Sequence, residues 1–177
     1  MEEKKYVHQS RATMTEMVLP NDTNTLNNLM GGKLMHWMDV VAAISAQRHS
    51  NSIVVTASVD NISFKNPIAL GNVVTLNAQV TRAFTTSMEV FIEVYAEDIP
   101  AGKRLLTHRA FFTFVAVDKV GKPVPVPALS TDSPEEQELF EGALRRRQLR
   151  LVLASRMTPD EATELKSLFS LEPSPKK

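Results

Sequence analysis

No cysteine occurs in these 177 residues, which excludes a disulfide framework, a thiolate nucleophile and any Cys-based zinc site. Nor is there an excess of either charge. Basic and acidic residues balance at 20 each, so no overall field draws the chain to nucleic acid or to an anionic membrane, and charge recognition has to be local. No uninterrupted apolar run approaches the ~18 residues that a membrane-spanning helix needs. The opening Met-Glu-Glu-Lys-Lys-Tyr lacks the apolar segment of a signal peptide. A soluble, cytoplasmic protein with no nucleic-acid or membrane partner is therefore expected. There is no Gly-x-Ser-x-Gly elbow, no Gly-x-x-x-x-Gly-Lys phosphate loop and no Rossmann glycine pattern. The histidines, at 8, 36, 49 and 108, include no pair at ligand spacing on one helix, so no metal site is expected.

What is present centres on Asp39. It lies in Gly31-Gly32-Lys33-Leu34-Met35-His36-Trp37-Met38-Asp39-Val40-Val41-Ala42-Ala43-Ile44, a run with apolar residues nearly all round, the pattern of a helix enclosed by other structure. An unpartnered carboxylate in such surroundings costs several kcal/mol, so Asp39 is either paired or employed. One reading pairs it with His36 a turn earlier, or with a remote Lys or Arg. The other uses the helix start: at Gly31-Gly32 no side chain obstructs a ligand, and unpaired N–H groups can point at a carbonyl oxygen. A polarising helix terminus two turns from a base suits attack on an acyl group.

Strands are expected at Ala12–Leu19, Ile53–Phe64, Val73–Val80, Ser87–Ala96 and Leu105–Val117. The third and fourth alternate cleanly, with Val74, Leu76, Ala78, Val80, Met88, Val90, Ile92 and Val94 inward, and Thr75, Asn77, Gln79, Glu89 and Glu93 outward. The helix between the first two strands should end near His49, and short turns join the later strands in a meander. One strand, one helix and four strands make an α+β fold, an antiparallel sheet curled around a central helix. Its open edges and apolar flank lead to an expected homo-oligomer. The prolines of Gly121-Lys122-Pro123-Val124-Pro125-Val126-Pro127 form an extended linker. Beyond it, Ser133-Pro134-Glu135-Glu136 and Thr158-Pro159-Asp160-Glu161 announce two capped helices. The expected division is a domain over residues 1–129 and a helical extension over 130–177.

Together, Asn24, Asn28, Gly31-Gly32, Met35, Met38-Asp39 and Arg48-His49 resemble the hotdog-fold acyl-coenzyme A thioesterases. The match continues through Val55-Thr56-Ala57-Ser58-Val59-Asp60, Phe64, Pro67-Ile68, Gly71, Thr86-Ser87-Met88-Glu89-Val90, Phe111-Phe112-Thr113-Phe114-Val115 and the proline linker. The likeness spans roughly Arg11 to Leu129 and is similar to bacterial acyl-CoA hydrolases and to the brain-type cytosolic enzyme of animals. It implies hydrolysis of fatty acyl-CoA to free acid and CoA without metal or separate cofactor, and a dimer as the minimal active unit within a hexamer of three dimers. By position, Asp39 matches the acidic catalytic residue and Asn24 the asparagine that reaches it from the partner subunit. Members usually carry a His before the glycine pair; Met30 stands there in this chain.

On that resemblance, Asp39 acts as general base on water or attacks directly, Asn24 orients the water or thioester, and the N–H of Gly32, with that of Lys33, stabilises the oxyanion. Asn28, Gly31, Lys65, Asn66, Thr86 and Ser87 are candidate substrate or CoA contacts. Arg145, Arg146 and Arg147 are a candidate clamp for the CoA phosphates, or simply a solvated helix end. Met14, Met17, Met35 and Met38 are candidates for an acyl tunnel or for core filling. The alternatives are an acyl-thioester dehydratase using His36 and a non-catalytic acyl-CoA sensor.

Overall fold

In chain order the elements are β1 (Lys4–Tyr6), α1 (Val7–Ser10), β2 (Ala12–Met17), α2 (Gly31–Ser50), β3 (Ile53–Val59), β4 (Val73–Ala83), β5 (Ser87–Asp98), β6 (Lys103–Val117), β7 (Ala128–Ser130), α3 (Pro134–Leu153) and α4 (Thr163–Ser167). The computed structural model describes residues 4–168 apart from 61, 63 and 65. β2 to β6 form one antiparallel sheet in the order β2-β4-β5-β6-β3. α2 packs against all five of its strands. This is the hotdog architecture.

The core follows from the two-residue period of the long strands. Val74, Leu76, Val80, Met88, Val90, Ile92, Val94 and Ala116 are fully buried, and Phe112 and Phe114 nearly so, against Met38, Val41, Ala42 and Ala46 of α2. Each such Val, Leu, Ile, Phe or Met side chain contributes roughly 1.5–3 kcal/mol on leaving water. On the far face Thr81 and Glu89 are buried against the alternation. Glu89 faces away from α2 as expected but is covered rather than solvated, and it accepts a 2.8 Å hydrogen bond from the Thr81 hydroxyl. Glu93 does reach solvent, where it pairs with Arg109 across the β5–β6 ladder.

α2 differs from the enclosed helix expected. Gly32, Met35, His36, Ile44 and Gln47 are exposed, with Asp39, Val40 and Ala43 half-buried between them. That is one continuous stripe at the helical period. Beside it runs β3, an edge strand whose Ile53, Val55 and Val59 are also exposed. The apolar residues found all round α2 therefore reflect a face left uncovered within a single chain.

The end of α2 is tied down on three sides. Asn51, in the left-handed region at φ 50°, terminates it. The Lys5 ammonium donates to the Arg48 carbonyl, and the Arg48 guanidinium donates to the Arg11 carbonyl. His49, fully buried, donates from Nε2 to the carbonyl of Pro127 at 2.8 Å. The linker is thus held to α2, and β7 beyond it pairs in parallel with β1. The first compact unit, Met1–Asp132, consequently runs three residues past the expected boundary.

The second unit is Ser133–Lys177. As expected, Ser133 caps α3, accepting from the Glu136 N–H at 3.2 Å. At the second capping box, Glu161 accepts from both the N–H and the hydroxyl of Thr158. That box closes a turn rather than opening a helix, and α4 begins later, at Thr163. Among the described residues no helix is long and apolar enough to cross a membrane.

Burial lowers the pKa of His49 below its ordinary 6.5, desolvation outweighing the Pro127 hydrogen bond, and desolvation lowers that of His108 too. Each binds its proton more weakly folded than unfolded, so stability is complete above the ordinary value and declines as pH falls through it. The melting temperature should drop between about pH 7.5 and pH 5.5, and His49→Gln should lessen the drop; an undiminished drop would show that His49 is not part of the cause.

Candidate active site

A loop between β2 and α2 carries Asn24, and its shape is fixed by its own polar groups. The Asn24 Oδ1 accepts from the N–H of Leu26 at 2.9 Å and of Asn28 at 3.2 Å, while the Asn24 N–H donates to the Asn28 carbonyl at 2.8 Å. Asn27 takes the left-handed conformation at φ 56° to close the turn. With its oxygen engaged, the side chain presents its NH2 group as the available function, a pure donor. Asp22 anchors the loop. Its carboxylate accepts from the Leu19 N–H at 3.1 Å and pairs with Lys33 at 3.1 Å, and its carbonyl accepts from Met30 N–H.

At the start of α2, the N–H groups of Lys33 and Leu34 both donate to the Met30 carbonyl. Lys33 N–H is therefore occupied, which corrects the expectation that it shares in holding an oxyanion. The N–H groups of Gly31 and Gly32 meet no acceptor among the described residues. A Cβ at Gly32 would touch nothing within 4 Å, whereas one at Gly31 would touch the Phe64 ring at 3.5 Å. The space in front of Gly32 is open to a ligand, and the positive end of the helix faces it.

Asp39 lies two turns further on, ~12 Å along the axis from Gly31. No cation pairs with it among the described residues, so the ion pair with His36 or with a remote Lys or Arg is not formed. Instead the Thr56 hydroxyl donates to Asp39 Oδ1 at 2.7 Å. A bulge in the β3–β6 register immediately follows Thr56, a device that re-aims strand side chains beside functional groups. The bond on Oδ1 leaves Oδ2 free, at the border of the exposed stripe of α2.

Asn24, Asn28, Gly31, Phe64 and Asn66 line a cavity of about 330 Å3, with His108 among its walls. Asp39 does not line it. Within one chain the cavity thus holds the asparagine and the helix start, while the carboxylate sits with Thr56 on the edge-strand side. Asn66 is steadied by donation from Nδ2 to the Thr107 carbonyl. Lys65 lies outside the described residues. Thr86 and Ser87 sit in the β4–β5 hairpin, where the Thr86 carbonyl accepts from Ala116 and the Ser87 carbonyl from Phe84. Their neighbour Thr85 borders a separate cleft beside the proline linker.

The four methionines do not form a tunnel into the Asn24 cavity. Met38 is fully buried in the core, Met14 packs at its margin, and Met17 and Met35 are exposed. On α3, Arg146 donates to the Leu139 carbonyl at 2.8 Å and folds over Gly142, where a Cβ would come within 2.6 Å of its Nη1. Its guanidinium is engaged by its own helix, and Arg147 also has a partner. Among the described residues no three His, Asp or Glu side chains gather as metal ligands.

Two residues at the site were given no role from the sequence. Thr56 stands inside a recognised motif, but only a fold shows that β3 sets it against α2. His108 shares the inward phase of Ala110, Phe112 and Phe114 in β6, a signal that the two-residue period carried.

Comparison with known proteins places these features. Residues 26–103 match the thioesterase superfamily. The chain is 44% identical over 144 residues to an uncharacterized acyl-CoA thioester hydrolase of Bacillus subtilis, covering 81% of this chain and 84% of that protein. It is 37% identical over 141 residues to the cytosolic acyl coenzyme A thioester hydrolase of Rattus norvegicus, spanning 78% of this chain but only 37% of that protein. An apo-hexameric acyl-CoA thioesterase superposes with a TM-score of 0.84 at 41% identity, over 88% of this chain and 99% of the other. An acyl-CoA hydrolase of Staphylococcus aureus, in complex with butyryl coenzyme A and coenzyme A, gives 0.79 at 32% identity over 94% and 99%. That protein has also been solved with an aspartate, a threonine or an asparagine replaced by alanine.

The Leu19 N–H bond first, and the Lys33 contact second, lower the Asp22 pKa below its ordinary value of 3.8. The stabilisation this gives is present at neutral pH and lost as acid protonates the folded carboxylate. Asp22→Asn should therefore melt below wild type at about pH 7, with the gap closing near pH 3, in thermal unfolding followed at both.

Proposed function

Because this chain belongs to the thioesterase superfamily, we propose that it hydrolyses fatty acyl-CoA at a site shared between two subunits, with Asp39 as base and Asn24 from the partner. The observation that carries this is the placement just described: Asp39 is oriented by Thr56 at the open stripe of α2, while Asn24 and the bare helix start border a different cavity. A second copy against the exposed face of α2 and β3 would supply to each carboxylate what its own chain does not. The oligomeric relatives, and the aspartate, threonine and asparagine chosen for replacement in the S. aureus enzyme, support this reading.

In the reaction, Oδ2 of Asp39 takes a proton from water as the water oxygen attacks the thioester carbonyl carbon. The negative charge that develops on the carbonyl oxygen is met by the N–H of Gly32 and the helix dipole, a donor of this kind being worth about 3–4 kcal/mol. Asn24, acting through its NH2 group, donates to the water or the thioester and so fixes their approach. Collapse breaks the C–S bond, CoA leaves as its thiolate, and the acid is released. No cofactor takes part. Direct attack by Asp39 through a mixed anhydride uses the same atoms. Asn28, Gly31 and Asn66 would meet the substrate where they line the cavity, and Thr86 and Ser87 its CoA portion, with Lys65 and the arginines at 145–147 as further candidates. Assembly as three dimers in a hexamer, in the cytoplasm, completes the proposal.

The alternatives make different demands. A dehydratase needs its histidine at the acid, and His36 is not bonded to Asp39. A sensor would bind acyl-CoA without releasing thiol.

Release of free thiol from acyl-CoA esters should fall by more than about a thousandfold in Asp39→Ala, and by about tenfold in Thr56→Val, which loses one charge-assisted hydrogen bond. Asn24→Asp keeps the acceptor that shapes the loop but loses the donor, so it should assemble normally and turn over poorly; undiminished turnover would reduce Asn24 to a turn former. Co-assembling inactive Asn24 and Asp39 variants should restore about a quarter of wild-type activity, since half of randomly mixed dimers contain one intact site. No restoration would place both residues in one subunit's site.

A further inference from the structure

Among the described residues His108 is the side chain with two buried polar atoms that lack a partner. It is only 6% exposed, it faces inward from β6, and neither ring nitrogen has a hydrogen-bond partner among the described residues. Leaving such a group unsatisfied costs about 1–3 kcal/mol. The ring is one wall of the cavity that Asn24 and Gly31 border, and Phe64 tilts against it with ring centroids 5.5 Å apart. The remaining wall is largely apolar, from Leu29, Leu34 and Ile68.

Among the described residues, the polar side chains that line the cavity are uncharged. Besides His108 they are the side chains of Asn24, Asn28 and Asn66. Desolvation disfavours the imidazolium, so the ring offers one donor and one acceptor. Such a receptor suits a neutral group that can both accept and donate. Among the described residues no charged side chain lines the cavity to compensate a carboxylate, and an unsubstituted alkyl chain leaves both nitrogens unsatisfied.

We propose that this cavity takes the acyl chain of the substrate and that His108 reads a hydroxyl on it, making hydroxyacyl-CoA esters the preferred substrate class. This rests on the thioesterase reading above and adds to it a specificity-determining residue. The discrimination arises because the substituted chain satisfies the buried imidazole and the plain chain does not, the asymmetry by which polar pockets reject analogues that lack their partner.

The test measures kcat/KM for thiol release from hexanoyl-CoA and from hexanoyl-CoA esters carrying one hydroxyl stepped along the chain. Wild type, His108→Leu and His108→Gln are compared. At one hydroxyl position wild type should favour the substituted ester by about tenfold or more. His108→Leu should abolish that preference, and His108→Gln, which keeps a donor and an acceptor, should retain part of it. Equal wild-type turnover of all the esters, or a preference that survives in His108→Leu, overturns the inference while leaving the thioesterase reading intact. A parallel loss on every ester in both variants makes His108 structural and overturns it as well. If wild type releases thiol from none of them, the thioesterase reading fails and takes this one with it.

Discussion

Packing of α2 across the inner face of the sheet is the contact on which everything else in this protein rests. Four consecutive inward positions on each of the central strands bury against Met38, Val41, Ala42 and Ala46. A helix lying in a curled sheet can be wrapped on only part of its circumference, however. The part left over is the stripe from Gly32 through Asp39 to Gln47. The same packing that stabilises the chain therefore determines where a carboxylate can sit with one oxygen held and the other free. Hydrophobic burial is non-directional, and the directional work is left to a few polar bonds at the border: Thr56 on Asp39, and Asp22 with Lys33 on the loop that carries Asn24.

Those bonds divide into two kinds. Around Asn24 the backbone is shaped by hydrogen bonds internal to the loop, and the side chain's own oxygen does the shaping. At the helix start the reverse holds, since Gly31 and Gly32 leave their N–H groups unspent. One end of the site is thus pre-formed by satisfied groups and the other is made receptive by unsatisfied ones. Such preorganised donors stabilise developing charge without reorganising as the reaction proceeds.

Much of this was legible in the residues. Alternation in Val73–Val80 and Ser87–Ala96 and the capping serine at 133 are local signals, and they place β4, β5 and the start of α3. The Asn24 to Asp39 motif pointed to the residues that border the cavity and the edge strand. What the residues could not carry was environment. Glu89 has the phase of a solvated side chain and is covered. The all-round apolar pattern of α2 implied enclosure by other structure, and within one chain a stripe of it stays uncovered. Thr158 to Glu161 form the bonds of a capping box, yet those bonds are equally satisfied by a turn.

The topology of the sheet bears on how the chain folds. β4, β5 and β6 form a meander joined by short turns, whereas both edge strands pair across long stretches of chain: Thr13 meets Asn77, 64 residues away, and Ile53 meets Val117 across as wide a gap. Closing long loops costs entropy that local hairpins avoid, so the centre of the sheet forms early and the edges dock late. β3 is one of those edges and carries Thr56. On that order the carboxylate of Asp39 gains the Thr56 hydroxyl only when β3 docks, and a chain halted with the meander complete would lack that bond.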